Sequence, residues 1–224
     1  EFTPTWLGAR LSDTAHQYWY PHELSIDAYA GSSGVALASA HVDGSTTRAD
    51  DFFRQLVNKL QQADLLDPRF TRGALAGTES ALWAADCYAQ LVNDAALAGQ
   101  ARQLLRTLAA APSNGYDIVA GDAGMVLLMT NLVANPLNDS EQSLAALRIV
   151  SRRLADWVLS DRKPMSLTGY AHGTAGVGAA LALATPLVRS SEVDSAARAV
   201  LISLLDERDP RTGLWPIGTD HKFK

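Results

Sequence analysis

Residues 168–181, TGYAHGTAGVGAAL, set a histidine against a glycine, place a second glycine three residues on, and run into alanines and leucines. Alone, this reads as a helix start softened by glycine. It decides the fold because it is not alone. Three earlier segments align with it: IDAYAGSSGVALA (26–38), RGALAGTESALWA (72–84) and YDIVAGDAGMVLL (116–128). Each carries Gly-x-x-Gly or a close variant, as Gly31/Gly34, Gly77/Ser80, Gly121/Gly124 and Gly173/Gly176. The first glycines lie 46, 44 and 52 residues apart. A period of that size signals stacked repeats, and it fits one helical hairpin with its connections.

Between these segments the sequence reads as amphipathic helix. In 49–63, Phe52, Phe53, Leu56, Val57 and Leu60 fall on one face, and Thr47 with Asp50 is a cap candidate. In 141–158, Leu144, Leu147, Val150, Leu154 and Trp157 recur at steps of three and four, with Arg148, Arg152 and Arg153 mostly off that stripe. Segments 97–109 (Leu104, Leu105, Leu108) and 192–205 (Val193, Ala197, Val200, Leu201, Leu204) behave alike. The Gly-x-x-Gly helices differ: GMVLLMTNLVA and GVGAALALATPL are apolar nearly all round, which predicts burial on every side. Pro68, Pro112, Pro136 and Pro164 fall between predicted helices, as breakers should. No period-two alternation stands out. The expected fold is all-α: four pairs, each a buried inner helix followed by an amphipathic outer one. Such a curved double layer is either an open solenoid or part of a closed α/α toroid.

Composition narrows the function. The chain of 224 residues is 47% hydrophobic and 19% charged, enough for a sizeable core. A net charge of −5 without a basic cluster argues against nucleic acid. No apolar run reaches the roughly 18 residues of a membrane span, and the opening residues do not read as a signal peptide. One cysteine, Cys87, rules out an internal disulfide framework and points to a reducing, cytoplasmic setting. Within ALWAADCYAQL it is expected to act as a small buried hydrophobe.

The polar residues that break the repeat carry the most information. The position before the first glycine is Ala30, Ala76, Ala120 and then His172. Four residues before that glycine come Asp27, Gly73, Asp117 and Gly169, and Asp117 is followed by apolar Ile118 and Val119. The bland alternatives are a packing histidine, and an aspartate that caps a helix or holds a backbone amide.

YDIVAGDAG and GYAHGTAG, in that order and some 50 residues apart, resemble the lanthionine synthetase C-like family, the cyclases of bacterial lanthipeptide biosynthesis. DAYAGSSGVALA looks like that family's first repeat, and the resemblance runs from about Ile26 to Trp215. It implies an α/α toroid of about seven hairpins, of which these would be the first four, so that 1–224 would form a partial or incomplete cyclase domain with 1–25 as a lead-in. An incomplete toroid is expected to expose two apolar rims and to pair with missing C-terminal repeats or other synthetase domains. The implied reaction adds a peptide cysteine thiol to dehydroalanine or dehydrobutyrine, closing a thioether ring on a dehydrated precursor peptide. His172 matches the family's histidine at the active-site mouth and Asp117 the aspartate of the preceding repeat. Zinc is expected in complete members, held by two cysteines and one histidine of later repeats. Neither ligand motif is present, so the chain reads as a fragment or as a zinc-less branch, with no metal ligand of its own.

The other candidates read as ordinary. His16, His22, His41 and His221 are expected at the surface, Trp83 and Trp157 in the core, and Trp215 packed as well. Two further functions compete with the cyclase. One is an inactive cyclase-like domain that binds precursor peptide or scaffolds a synthetase. The other is a toroidal glycoside hydrolase, which needs two carboxylates about 5–9.5 Å apart, and Asp117 has no obvious partner for that.

Overall fold

The structure, a computed structural model, describes residues 7–11, 19–43, 47–65, 72–113, 115–135, 140–160, 165 and 167–217. In chain order its elements are β1 (Leu7–Leu11), β2 (Trp19–Glu23), α1 (Ser32–Asp43), α2 (Thr47–Gln62), α3 (Thr78–Leu91), α4 (Ala95–Ala110), α5 (Asp122–Ala134), α6 (Ser140–Leu159), α7 (Thr174–Val188) and α8 (Ser191–Asp206). The fold class is all-α, as the repeat predicts, and each Gly-x-x-Gly segment opens an inner helix. The lead-in departs from expectation: β1 and β2 pair antiparallel, with Leu7 opposite Glu23 and Leu11 opposite Trp19. Five-residue strands are too short to announce themselves by alternation.

The chain forms two compact units. Residues 1–70 and 76–104 make the first, and 71–75 and 105–224 the second. In the first, inner helix α1 packs on its outer partner α2 and on the next inner helix α3. Phe52, Phe53, Leu56, Val57 and Leu60 are all buried, as the stripe predicts. Phe53 stacks on Tyr88 of α3 at 4.9 Å. Each such side chain contributes about 1.5–3 kcal/mol on burial. Helix α2 begins at Thr47 itself, so that residue is the helix's first rather than a cap outside it. Asp86 and Arg102 join α3 to α4 through a buried ion pair of 2.6 Å.

The second unit shows the repeat in full. Inner helix α5 packs on inner helix α7, outer helix α6 on outer helix α8, and each inner helix on its own outer partner. Leu147, Val150 and Leu154 of α6 are fully buried, and so are Met129 of α5 and Leu181 of α7. Helix α7 is not covered all round, however: Leu183 stands exposed. Leu201, expected inside, is 41% exposed, and Leu205 is 64% exposed. Their counterparts one repeat earlier, Ser151 and Ala155 of α6, are fully buried. The difference is neighbours: α8 packs on α6, and no described helix follows α8. Among the described residues this leaves an apolar edge along α8. Trp215 is likewise no core residue. It is 47% exposed at the edge of an open groove, with its indole N–H donated to the Leu204 carbonyl at 2.5 Å.

Candidate active site

The site is built on the loops that precede α5 and α7. A helix leaves its first amides without intrahelical partners. Here the loop itself supplies them. The amides of Asp122, Ala123 and Gly124 donate to the carbonyls of Gly115, Tyr116 and Asp117, each seven residues back, at 3.0, 3.3 and 3.1 Å. Those of Thr174 and Ala175 donate to Leu167 and Thr168 at 3.0 and 3.2 Å. Each loop therefore curls tightly beneath its helix, backbone against backbone.

That curl explains the glycines beside the histidine. Gly173, the N-cap of α7, has an extended φ of −137°, which any residue can adopt. What it requires is room: a Cβ there would stand 2.5 Å from the Gly169 nitrogen and the Leu167 oxygen. A Cβ on Gly176 would overlap the Tyr170 carbonyl and meet Ile118 Cγ1 at 2.6 Å. The two loops are also stitched together, since Ile118 N–H donates to the Ala171 carbonyl at 3.1 Å.

This stitching brings the two candidate residues into contact. His172 Nδ1 lies 2.8 Å from Asp117 Oδ2, across 55 residues of sequence. An ionised carboxylate only accepts, so the neutral ring carries its proton on Nδ1, and Nε2 is left with a free lone pair. Nε2 has no partner among the described residues, on a side chain that is 57% exposed; the Asp117 side chain is 18% exposed. Asp117 does a second job as well. Its Oδ1 accepts from the Ala120 amide at 2.7 Å, closing a turn inside the loop. Asp27, its counterpart in the first repeat, makes the same turn, with Ala30 donating to Oδ1 at 2.7 Å. Its Oδ2 takes the neighbouring Ser25 hydroxyl instead. The aspartate is thus a loop staple in both repeats, and before α5 its second oxygen is given to an imidazole.

Two supports around Asp117 were not foreseen. Arg153, which lies off the α6 stripe, turns inward and grips buried Asp122 with two hydrogen bonds of 2.7 and 2.5 Å. Tyr116, the residue before Asp117, stacks on Trp157 of α6 with centroids 4.1 Å apart and planes 12° apart. Trp157 is thus half-buried against a loop rather than deep in a core.

His41 is exposed at the end of α1 and His22 lies in β2, while His16 and His221 fall outside the described residues. The described donors do not assemble the zinc site that the resemblance implies for complete members of the family. Cys87 sits half-buried on α3 in the first unit, where burial pushes its thiol up to about 11. Among the described residues no three His, Cys, Asp or Glu side chains are grouped to hold an ion.

Comparison with known proteins agrees with the motifs. The family model for lanthionine synthetase C-like proteins matches residues 22–223. The search of curated proteins gave no match. Among the described residues no helix is long and apolar enough to cross a membrane. With the paired YDIVAGDAG and GYAHGTAG loops, the inner–outer helix repeat and a match over nearly its whole length, the chain belongs to the lanthionine synthetase C-like family.

Proposed function

We propose that this domain closes thioether rings in a dehydrated precursor peptide, with His172 as the proton carrier and Asp117 as its orienting carboxylate. The observation that carries the reading is the 2.8 Å contact between His172 Nδ1 and Asp117 Oδ2, which leaves Nε2 as the basic nitrogen on an accessible ring.

The chemistry asks for such a group. A peptide cysteine sulfur attacks the β-carbon of dehydroalanine or dehydrobutyrine. A C–S bond forms, and the π electrons of the double bond move onto Cα and the adjoining carbonyl as an enolate. Nε2 takes the thiol proton as the sulfur attacks and then returns it to Cα. Nothing leaves, and the product is an isomer of the substrate. An ordinary thiol with a pKa of about 8.5 is only a few per cent ionised at neutral pH, so a positioned base helps the first step. The same group, now an acid, helps the second. A positioned acid–base group of this kind contributes about 10²–10⁴-fold. Asp117 holds the ring in the Nδ1–H tautomer and offsets the charge on the transient imidazolium. Such a reaction belongs in the cytoplasm, where the precursor is made and its thiols stay reduced.

The test is the number of peptide thiols that remain open to alkylation after incubation with the domain, because ring closure leaves the mass unchanged. Wild type consumes them, and His172→Ala slows their loss at least about 100-fold. Equal consumption by both proteins would show that His172 is not the proton carrier, and consumption by wild type no faster than without protein would favour the inactive, peptide-binding reading instead.

A further inference from the structure

We propose that Tyr116, clamped by its stack on Trp157, is a positioning residue that holds Asp117 in register with His172. This rests on the reading of His172 and Asp117 given above.

Tyr116 and Asp117 are adjacent, and their side chains are held by different elements. Asp117 reaches the loop before α7, while Tyr116 lies on Trp157 in the last turn of α6, with rings 4.1 Å apart and nearly parallel. Any shift of the loop along its own direction would have to slide one ring over the other. The repeat gives the position its meaning. Tyr116 stands five residues before the first glycine of its repeat, as Arg72 and Thr168 do in the flanking repeats. Arg72 donates to the Leu108 and Pro112 carbonyls, at the end of α4, at 2.9 and 3.2 Å. The Thr168 hydroxyl donates to the Pro216 carbonyl, and its amide to Ile217 at 3.3 Å, in the chain beyond α8. The first two therefore tie a loop to the end of the outer helix that follows it and the third to the chain beyond that helix, by a cation, a ring and a hydroxyl in turn. Only at Tyr116 is the next residue the carboxylate that meets an imidazole. The stack also borders an open groove of about 450 Å³, so shortening Trp157 widens a groove rather than opening a sealed cavity.

Substitution of Trp157 in the full chain tests this, read by ¹⁵N NMR of the His172 ring alongside ring-closure kinetics. The ring resonances are assigned as those lost in His172→Ala. Trp157→Leu should lower the Nδ1–H population and reduce kcat about 2- to 10-fold, the worth of an aromatic stack, with KM unchanged. Trp157→Phe, which keeps a ring in place, should restore the wild-type tautomer. In an Asp117→Asn background, Trp157→Leu should cost no further activity. Arg72→Ala removes the equivalent tie one repeat earlier, and should lower Tm while leaving the His172 tautomer alone. The proposal is overturned if Trp157→Leu lowers Tm but leaves the tautomer at its wild-type value, or if Arg72→Ala moves the tautomer as much. The tautomer reports on positioning even if His172 proves unnecessary for ring closure, so the two readings fail separately.

Discussion

The two oxygens of Asp117 do separable work, and two substitutions take them apart. Oδ1 staples the loop through the Ala120 amide, and Oδ2 orients His172. In Asp117→Asn the amide oxygen can keep the Ala120 bond, which turns the NH₂ toward His172. Two donors then face each other, and the ring is driven to the other tautomer, with its proton on Nε2. The base nitrogen is lost although the loop stays closed. A hydrogen bond to a charged group is worth about 1.5–3 kcal/mol, and partial exposure puts this one at the low end. Loss of that orientation together with the wrong tautomer predicts ring closure slowed about 10- to 100-fold, at roughly 1.4 kcal/mol per factor of ten. Tm should hardly change. Asp117→Ala loses both bonds and should be at least as slow. It should also lose about 1 kcal/mol of stability, a Tm drop of about 2–4 °C for a chain of this size. Asp27→Ala supplies the comparison, because it removes the same staple with no imidazole involved. It should show the Tm drop and wild-type rates. The assay is thiol alkylation over time beside a thermal melt. The reasoning is refuted if Asp117→Asn closes rings at the wild-type rate, or if Asp27→Ala is as slow as Asp117→Ala.

Three further outcomes follow from the structure. Arg153→Leu strands the carboxylate of Asp122, whose side chain is 2% exposed, and should cost about 3 kcal/mol; a denaturant midpoint shift worth less than about 1 kcal/mol would contradict the buried pair. Gly176→Ala forces a methyl against the Tyr170 carbonyl and Ile118, so stability should fall by about 1–3 kcal/mol and ring closure should slow, because the same contact sets the spacing of the His172 and Asp117 loops; unchanged melting and rate would rule this out. Cys87, with its thiol pushed up to about 11 chiefly by burial and then by the neighbouring Asp86 charge, is ionised only above that value. Its alkylation should therefore be slow at pH 8 and climb about tenfold per pH unit toward pH 11, and a plateau by pH 9 would show an ordinary thiol instead.

The repeat was legible because glycine spacing and apolar stripes are written in consecutive residues. His172 was legible because three alanines set an expectation that it breaks, and Asp117 because its motif precedes the histidine by one repeat. Their contact was not, since it depends on how two loops curl beneath their helices, which is a matter of backbone bonds. The role of Arg153 was not legible for a related reason: its place off the apolar stripe says nothing of the buried Asp122 on another helix that turns it inward. Tyr116 and Trp157 belong to different segments, and nothing in either announces the other; comparing the residues five before each glycine would have singled out the position. Leu201 and Leu205 fit the helical period, but period tells which face is apolar and not whether a neighbour covers it. The hairpin of β1 and β2 was missed because Leu7, Ala9 and Leu11 are too short a run to count as alternation.

Ring closure on dehydroalanine creates a new stereocentre at Cα, and its configuration records which face received the proton. In D₂O, wild-type protein should give product deuterated at Cα in a single configuration. His172→Ala, with the proton arriving from solvent, should give a mixture of both configurations at a rate lower by at least about 100-fold. A single configuration formed by His172→Ala at the wild-type rate would contradict the assignment of His172 as the group that carries the proton.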